Sequence, residues 1–310
     1  MAVTAKAEMK SMFKSCVLCP RECGIDRSER TGYCGERDAL RISRAALHMW
    51  EEPCISGKNG SGTVFFVGCP LRCSFCQNHD IATSTYGGEI TVERLADIFF
   101  ELKDKGAHNI NLVTPTHFLP HIIDAIDIAK GCGFDLPFVY NCGGYEKADM
   151  ISRLSGYIDI FLPDFKYFYP ETAMRYSNAQ SYPQRAMEAI DEMVQIAGKP
   201  KFDDDGMMMR GVIVRHLVLP SHADESIEIL KYLNNAYKND IYISIMKQYT
   251  PMKSEFHKEL QRKLTTYEYQ KVLAAAEKIG IVNGFIQTGG TQSESFIPSF
   301  DMTGVYSPDK

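Results

Sequence analysis

The sequence predicts an α/β fold, a partial (β/α)6 barrel preceded by a small cysteine-rich extension. Three observations carry that expectation. From Val64 onward, short apolar runs alternate six times with amphipathic segments. The runs are continuously apolar, as strands of a parallel sheet covered by helices should be. Seven of the ten cysteines fall into two tight groups, one before the first run and one directly after it.

Strands are expected at 63–67, 109–113, 137–141, 157–162, 211–219 and 241–246, each followed by a helix, at 92–105, 119–130, 147–154, 183–197, 224–237 and 267–279. Six βα units with right-handed crossovers give an open barrel, because closure takes eight. Local signals agree. Thr91 is placed to cap the first helix, with Glu93 in its first turn and Gly106 beyond its end. Gly131 is expected to close the second helix, and Pro183 to open the fourth. The chain divides into an extension (1–60), the barrel (61–290) and a tail (291–310).

With 310 residues, 24% charged and 11% aromatic, the chain has the makings of one full-sized core. A net charge of −5 gives no bulk attraction to nucleic acid or anionic membrane. Residues 1–14 lack the apolar core of a signal peptide, and no run reaches spanning length. Clustered cysteines read better as metal ligands than as disulfides, which points to a reducing cytoplasm.

The loop after the first strand holds Cys69, Cys73 and Cys76 in the spacing C-x3-C-x2-C, with Phe75 before the last. Cubane iron–sulfur clusters normally take four thiolates, so a trio leaves one iron open to a substrate. A zinc knuckle short of one ligand, or three core cysteines, are the competing readings. The apolar strand ahead of the loop and the Phe75–Cys76 pair favour a cluster. This pattern resembles the signature loop of the radical S-adenosylmethionine (SAM) superfamily. Its flanks, Val64-Phe65-Phe66-Val67-Gly68 and Gln77-Asn78, are similar to those of the pyruvate formate-lyase activating enzyme branch. The N-terminal cysteines and the motifs Thr114-Pro115-Thr116-His117, Leu162-Pro163-Asp164-Phe165-Lys166-Tyr167 and Arg215-His216-Leu217-Val218-Leu219-Pro220 resemble uncharacterised iron–sulfur proteins grouped with that branch. The resemblance covers roughly residues 16–280. It implies a radical SAM barrel, a [4Fe-4S] cluster and SAM chelated at the open iron.

Active sites of parallel βα folds form at the C-terminal strand ends, so those ends should face the cysteine loop. The second strand ends in Thr114-Pro115-Thr116-His117, where the resembled superfamily often has Gly-Gly-Glu. Thr114 and Thr116 are candidate cofactor contacts, and the competing reading is a helix cap at Thr116. His117 reads as an ordinary first-turn histidine. Asn141 ends the third strand ahead of a Gly143-Gly144 turn, while Cys132 and Cys142 read as unligated thiols. Asp164 and Lys166 share one face at the fourth strand end, and the resemblance implies a SAM-binding pair; a surface ion pair is the alternative. In the fifth strand Arg215 and His216 must point to opposite sides. Arg215 is assigned inward, where the resemblance implies contact with the SAM carboxylate. At the sixth end Gln248 or Tyr249 stands where activating enzymes commonly carry histidine. Tyr167, Tyr169, Tyr176 and Tyr182 form a passage that either lines the substrate entrance or is a packed loop.

Upstream, Cys16, Cys19, Cys23 and Cys34 have the spacing C-x2-C-x3-C-x10-C. Four thiolates close either a zinc site or a second cluster. The resemblance implies reductive cleavage of SAM to a 5′-deoxyadenosyl radical, with a flavodoxin or ferredoxin as one-electron donor. The substrate is a glycyl residue of a partner glycyl-radical enzyme, or alternatively a small metabolite or another macromolecule. A non-enzymatic electron-transfer or scaffold protein is the third reading.

Overall fold

The computed structural model describes residues 8–83, 86–251, 257–287 and 298–307. Its centre is a sheet in the order β10-β9-β8-β6-β5-β4-β2-β1-β3, with β7 paired to β8. The strands are β1 (Arg41–His48), β2 (Ser61–Phe66), β3 (Gly88–Glu89), β4 (Ile110–Val113), β5 (Phe138–Cys142), β6 (Ile160–Pro163), β7 (Lys201–Phe202), β8 (Met208–Leu217), β9 (Tyr242–Met246) and β10 (Gly284–Ile286). The run β2-β4-β5-β6-β8-β9-β10 is parallel throughout, and β1 lies antiparallel on β2. The sheet does not close, since β10 and β3 are its two ends.

Each expected strand is present within a few residues of its expected bounds. The helices are α1 (Pro53–Ser56), α2 (His79–Ala82), α3 (Val92–Asp104), α4 (Leu119–Gly131), α5 (Ala148–Ser152), α6 (Pro170–Ser177), α7 (Tyr182–Ala197), α8 (Ala223–Tyr237) and α9 (Thr266–Ile279). In α3 the Thr91 hydroxyl accepts from the Arg94 amide, as a cap should, and Leu95, Ile98, Phe99 and Leu102 are buried at helical spacing. One cap differs from expectation. Gly131 is the last helical residue of α4, and the left-handed glycine is Gly133, φ +83°, one position beyond the Cys132 cap. The helix runs one residue further than its Gly131 suggested, because Cys132 still bonds back to Ile128 and Ala129.

Alternation along the strands sorts the side chains into layers. Val139, Ile160, Leu162, Ile213 and Met208 face inward and form a cluster with Cys54 and Ile55 of α1, which plugs the barrel floor. Above them the interior turns polar, with Asn111, Asn141, Arg215 and Ser244 on successive strands. The outer face carries the larger core, where the helices pack. Residues 41–48, read as part of the extension, supply β1 and join the sheet.

Candidate active site

A cavity of about 210 Å3 lies at the C-terminal strand ends and reaches into the barrel. Cys69, Cys73, Phe75 and Cys76 from the loop after β2 line one wall. Thr114, Asn141, Asp164, Lys166, Arg215 and Gln248 from the other strand ends line the rest. Of the positions singled out in the sequence, Thr116 and Tyr249 are not among the lining residues.

The cysteine loop is held open by its backbone. Gly68 adopts φ +84°, and a Cβ there would come within 2.5 Å of the Glu36 side chain and 2.8 Å of the Cys34 carbonyl, so only glycine fits. Phe75 is buried, with its ring edge-on to Tyr167, Tyr176 and Tyr249 at 6.2–6.3 Å. Among the described residues, no three His, Cys, Asp or Glu side chains gather around a point as ligands of a single ion would. The three loop thiols line one wall of the cavity, three thiolates where a cubane cluster normally takes four. Burial first, then the Cys73 charge, pushes the Cys69 thiol up to about 11. A cationic iron centre reverses that balance by holding the thiolates. The donor set therefore fits an iron–sulfur cluster.

Opposite the thiols stands a charged lattice. Asp164 and Arg215 are bridged residues on adjacent strands, and the Arg215 Nε donates to Asp164 Oδ1 at 2.9 Å. The other guanidinium nitrogens donate to Glu51 Oε2 at 3.1 Å and Asn141 Oδ1 at 2.6 Å. Lys166 Nζ donates to the second Asp164 oxygen at 2.5 Å. Burial alone would raise the Asp164 pKa, but Arg215 and Lys166 hold it below the usual carboxylate range. For Glu51 the balance goes the other way, and burial raises it in spite of Arg215. Arg215 faces the cavity as parity required, while His216 points outward to the Phe165 carbonyl and Ser226 hydroxyl. The Arg215 guanidinium is thus bound by two carboxylates and an amide oxygen.

Thr116 forms no helix cap. It sits in a 3-10 turn (Thr116–Phe118), and its hydroxyl donates to buried Glu146 at 2.9 Å. His117 is buried with Nε2 against the Val67 carbonyl at 2.6 Å, and burial pulls its pKa down to about 3, so it is neutral. Thr114 lines the cavity in a left-handed conformation, φ +59°, a strained state for a β-branched residue. The tyrosine passage is packing, not a portal. Tyr167, Tyr176 and Tyr182 are buried, Tyr169 is exposed, and none of the four lines the cavity. Tyr182 fixes the Asp164–Lys166 segment by accepting from the Lys166 amide at 2.8 Å.

Sequence reasoning missed Glu51, Glu52 and Glu146. Glu51 links Arg215 to Asn111, whose amide donates to it at 3.0 Å. Glu52 is buried beside it, with one carboxyl oxygen unpartnered. Glu146 is pushed up to about 8 by burial, against hydrogen bonds from Thr116, Tyr140 and Cys142. An acidic pair near a turn reads as solvated surface, and nothing local in the sequence marks these as interior.

An open parallel sheet with three cysteines and a charged lattice around one cavity defines a cluster-binding α/β enzyme. The sequence profile described as the radical SAM superfamily matches residues 63–233, and the chain belongs to that superfamily. Its members use a [4Fe-4S] cluster and SAM, and they are enzymes. An uncharacterized protein of Methanocaldococcus jannaschii is 29% identical over 283 residues, covering 88% of this chain and 77% of that protein. A protein of Listeria monocytogenes named pyruvate formate-lyase-activating enzyme is 23% identical over 178 residues, covering 54% of this chain and 66% of its own. Among solved structures, Streptococcus suis SuiB bound to S-adenosylmethionine is similar with a TM-score of 0.45 at 13% identity, over 72% of this chain and 48% of that one. The hydrogenase maturase HydG of Carboxydothermus hydrogenoformans gives 0.49 at 10% identity, over 75% and 59%. The chain thus spans about half the length of the SuiB chain.

Proposed function

We propose that this radical SAM enzyme is a glycyl-radical activase, drawing a hydrogen atom from a glycine of a partner protein. When bound, the cluster supplies the electron that cleaves SAM to methionine and a 5′-deoxyadenosyl radical. Cys69, Cys73 and Cys76 hold that cluster, and Asn141, Asp164 and Lys166 orient SAM against it, with Thr114 and Phe75 shaping the wall. Arg215 acts by holding Asp164 and Asn141 in place. Cys16, Cys19, Cys23 and Cys34 supply a second metal site.

One observation favours a peptide over an anionic metabolite. Lys166 and Arg215, the cavity's two Lys/Arg cations among the described lining residues, are both paired with carboxylates. An acidic small molecule would find no free counter-charge, whereas an uncharged glycyl backbone needs none. The relatives named pyruvate formate-lyase-activating enzymes support the same substrate class. All ten cysteines are free, which suits a reducing compartment, and no described helix is long and apolar enough to cross a membrane. We place the reaction in the cytoplasm, with a flavodoxin or ferredoxin as electron donor.

The test is anaerobic reconstitution, dithionite reduction and incubation with glycyl-radical enzymes of the source cell grown on α-deuterated glycine. Deuterium should appear in 5′-deoxyadenosine, together with a glycyl radical signal in the partner. Cleavage of SAM without deuterium transfer would move the reading to a small metabolite. No cleavage at all would remove it.

A further inference from the structure

We propose that Cys16, Cys19, Cys23 and Cys34 hold a second iron–sulfur cluster, closed by four thiolates, which passes electrons to the cluster of the cavity. The extension folds to gather these thiols. The Cys16 amide donates to the Ile25 carbonyl at 2.9 Å and the Gly24 amide to the Cys16 carbonyl at 3.0 Å, closing a loop around Cys19 and Cys23. Tyr33 brings the fourth cysteine alongside, its amide donating to Cys23 Sγ at 3.3 Å. A Cβ on Gly32 would lie 3.3 Å from Cys34 Sγ and 3.8 Å from Cys23 Sγ. Three of the four residues are buried, Cys23 is half-buried, and none forms a disulfide.

Four thiolates close either a zinc site or a cubane cluster. Place separates the two: Cys34 and Arg21 bond directly to the loop that carries Cys69 and Cys73, where a redox-silent zinc would relay nothing and a second cluster would stand beside the first.

Position gives the second cluster its role. The Cys69 amide donates to the Cys34 carbonyl at 3.1 Å, so a ligand residue of each set is joined by a single hydrogen bond. Arg21, between Cys19 and Cys23, donates to the Pro70 carbonyl at 2.8 Å inside the other cysteine loop. One electron from an external donor of the ferredoxin or flavodoxin class reduces the extension's cluster. That electron passes to the cavity cluster, which is reduced as the first is reoxidised, with no bond made or broken. The proposal rests on the superfamily's cluster chemistry and is independent of the glycyl substrate.

The experiment counts metals and needs no substrate. A Cys69→Ala/Cys73→Ala/Cys76→Ala variant is reconstituted anaerobically with iron, sulfide and equimolar zinc. About four irons per chain should remain, with a paramagnetic signal after dithionite that disappears when Cys16→Ala and Cys19→Ala are added. Wild-type protein should hold about eight irons and, fully reduced, show two signals broadened by mutual coupling. Zinc in place of iron, or about four irons in the wild type, overturns the second cluster. Two sharp, uncoupled signals overturn the relay. The wild-type measurements decide the matter even where the variants fail to fold.

Discussion

At the scale of single residues, Arg215 is the member on which the cavity depends. It is the shared counter-ion of Asp164 and Glu51, with all three side chains 10–14% exposed. Replacing it by methionine leaves Glu51 buried without its cation and facing Asp164, which keeps only Lys166, an arrangement that costs roughly 3–5 kcal/mol. Arg215→Met should therefore lower the unfolding free energy measured in urea by that amount, and adding Glu51→Gln should recover part of it. A single variant as stable as the wild type would mean the lattice is not load-sharing in this way. His48, also on the cavity wall, gives a pH signature. Burial, then Arg44 and Arg215, lowers its pKa from 6.5 to about 4. A histidine depressed in the fold stabilises above the unfolded value and loses that contribution as protons bind the unfolded chain. Stability should thus fall from pH 6.5 toward 4 by up to roughly 3 kcal/mol, and His48→Gln should flatten that part of the profile. Parallel thermal-melt profiles for the two proteins would refute the assignment.

At the scale of elements, the extension and the cysteine loop behave as one piece. Arg21 spans them: its guanidinium donates to the carbonyls of Pro70 at 2.8 Å, Ser177 at 2.8 Å and Asn178 at 2.5 Å, and lies 3.9 Å over the Tyr33 ring. A planar fork with five donors makes this possible, and a lysine ammonium cannot reproduce it. Arg21→Ala and Arg21→Lys should both speed amide exchange across residues 68–78 while leaving α9 unchanged. If exchange in the loop stays at the wild-type rate, the clamp is incidental. Legibility at this scale followed physics. The six parallel strands were readable because burial on both faces leaves long apolar runs. The strand β1 was not, because Arg41, Arg44 and His48 make it look like a solvated segment. Three-residue β10 is too short to carry any period, and α6 was hidden in the tyrosine passage, where the aromatic residues drew the eye to a loop.

At the scale of the whole molecule, the site is a junction of segments far apart in sequence. Strand-end logic located Asn141, Asp164, Lys166 and Arg215 together, because a parallel sheet brings every C-terminal end to one side. It could not find Glu51, since the chain enters the barrel there from below, through the turn between β1 and α1. That same turn places Trp50 on the cavity rim, 59% exposed, and it is the chain's sole tryptophan. An indole half in water and half against the cavity must change its surroundings when the cavity fills. Adding SAM to the anaerobically reconstituted protein should therefore shift or quench tryptophan emission, saturably and in step with SAM bound in equilibrium dialysis. Asp164→Asn should move both titrations to higher SAM, because it loosens the Lys166 and Arg215 contacts that shape the pocket. Trp50→Phe should remove the optical signal and leave the dialysis curve intact. Bound SAM with unaltered emission would show that ligand stays at the cysteine loop and never reaches the barrel interior, so that the polar layer around Glu51 serves the fold and not the ligand.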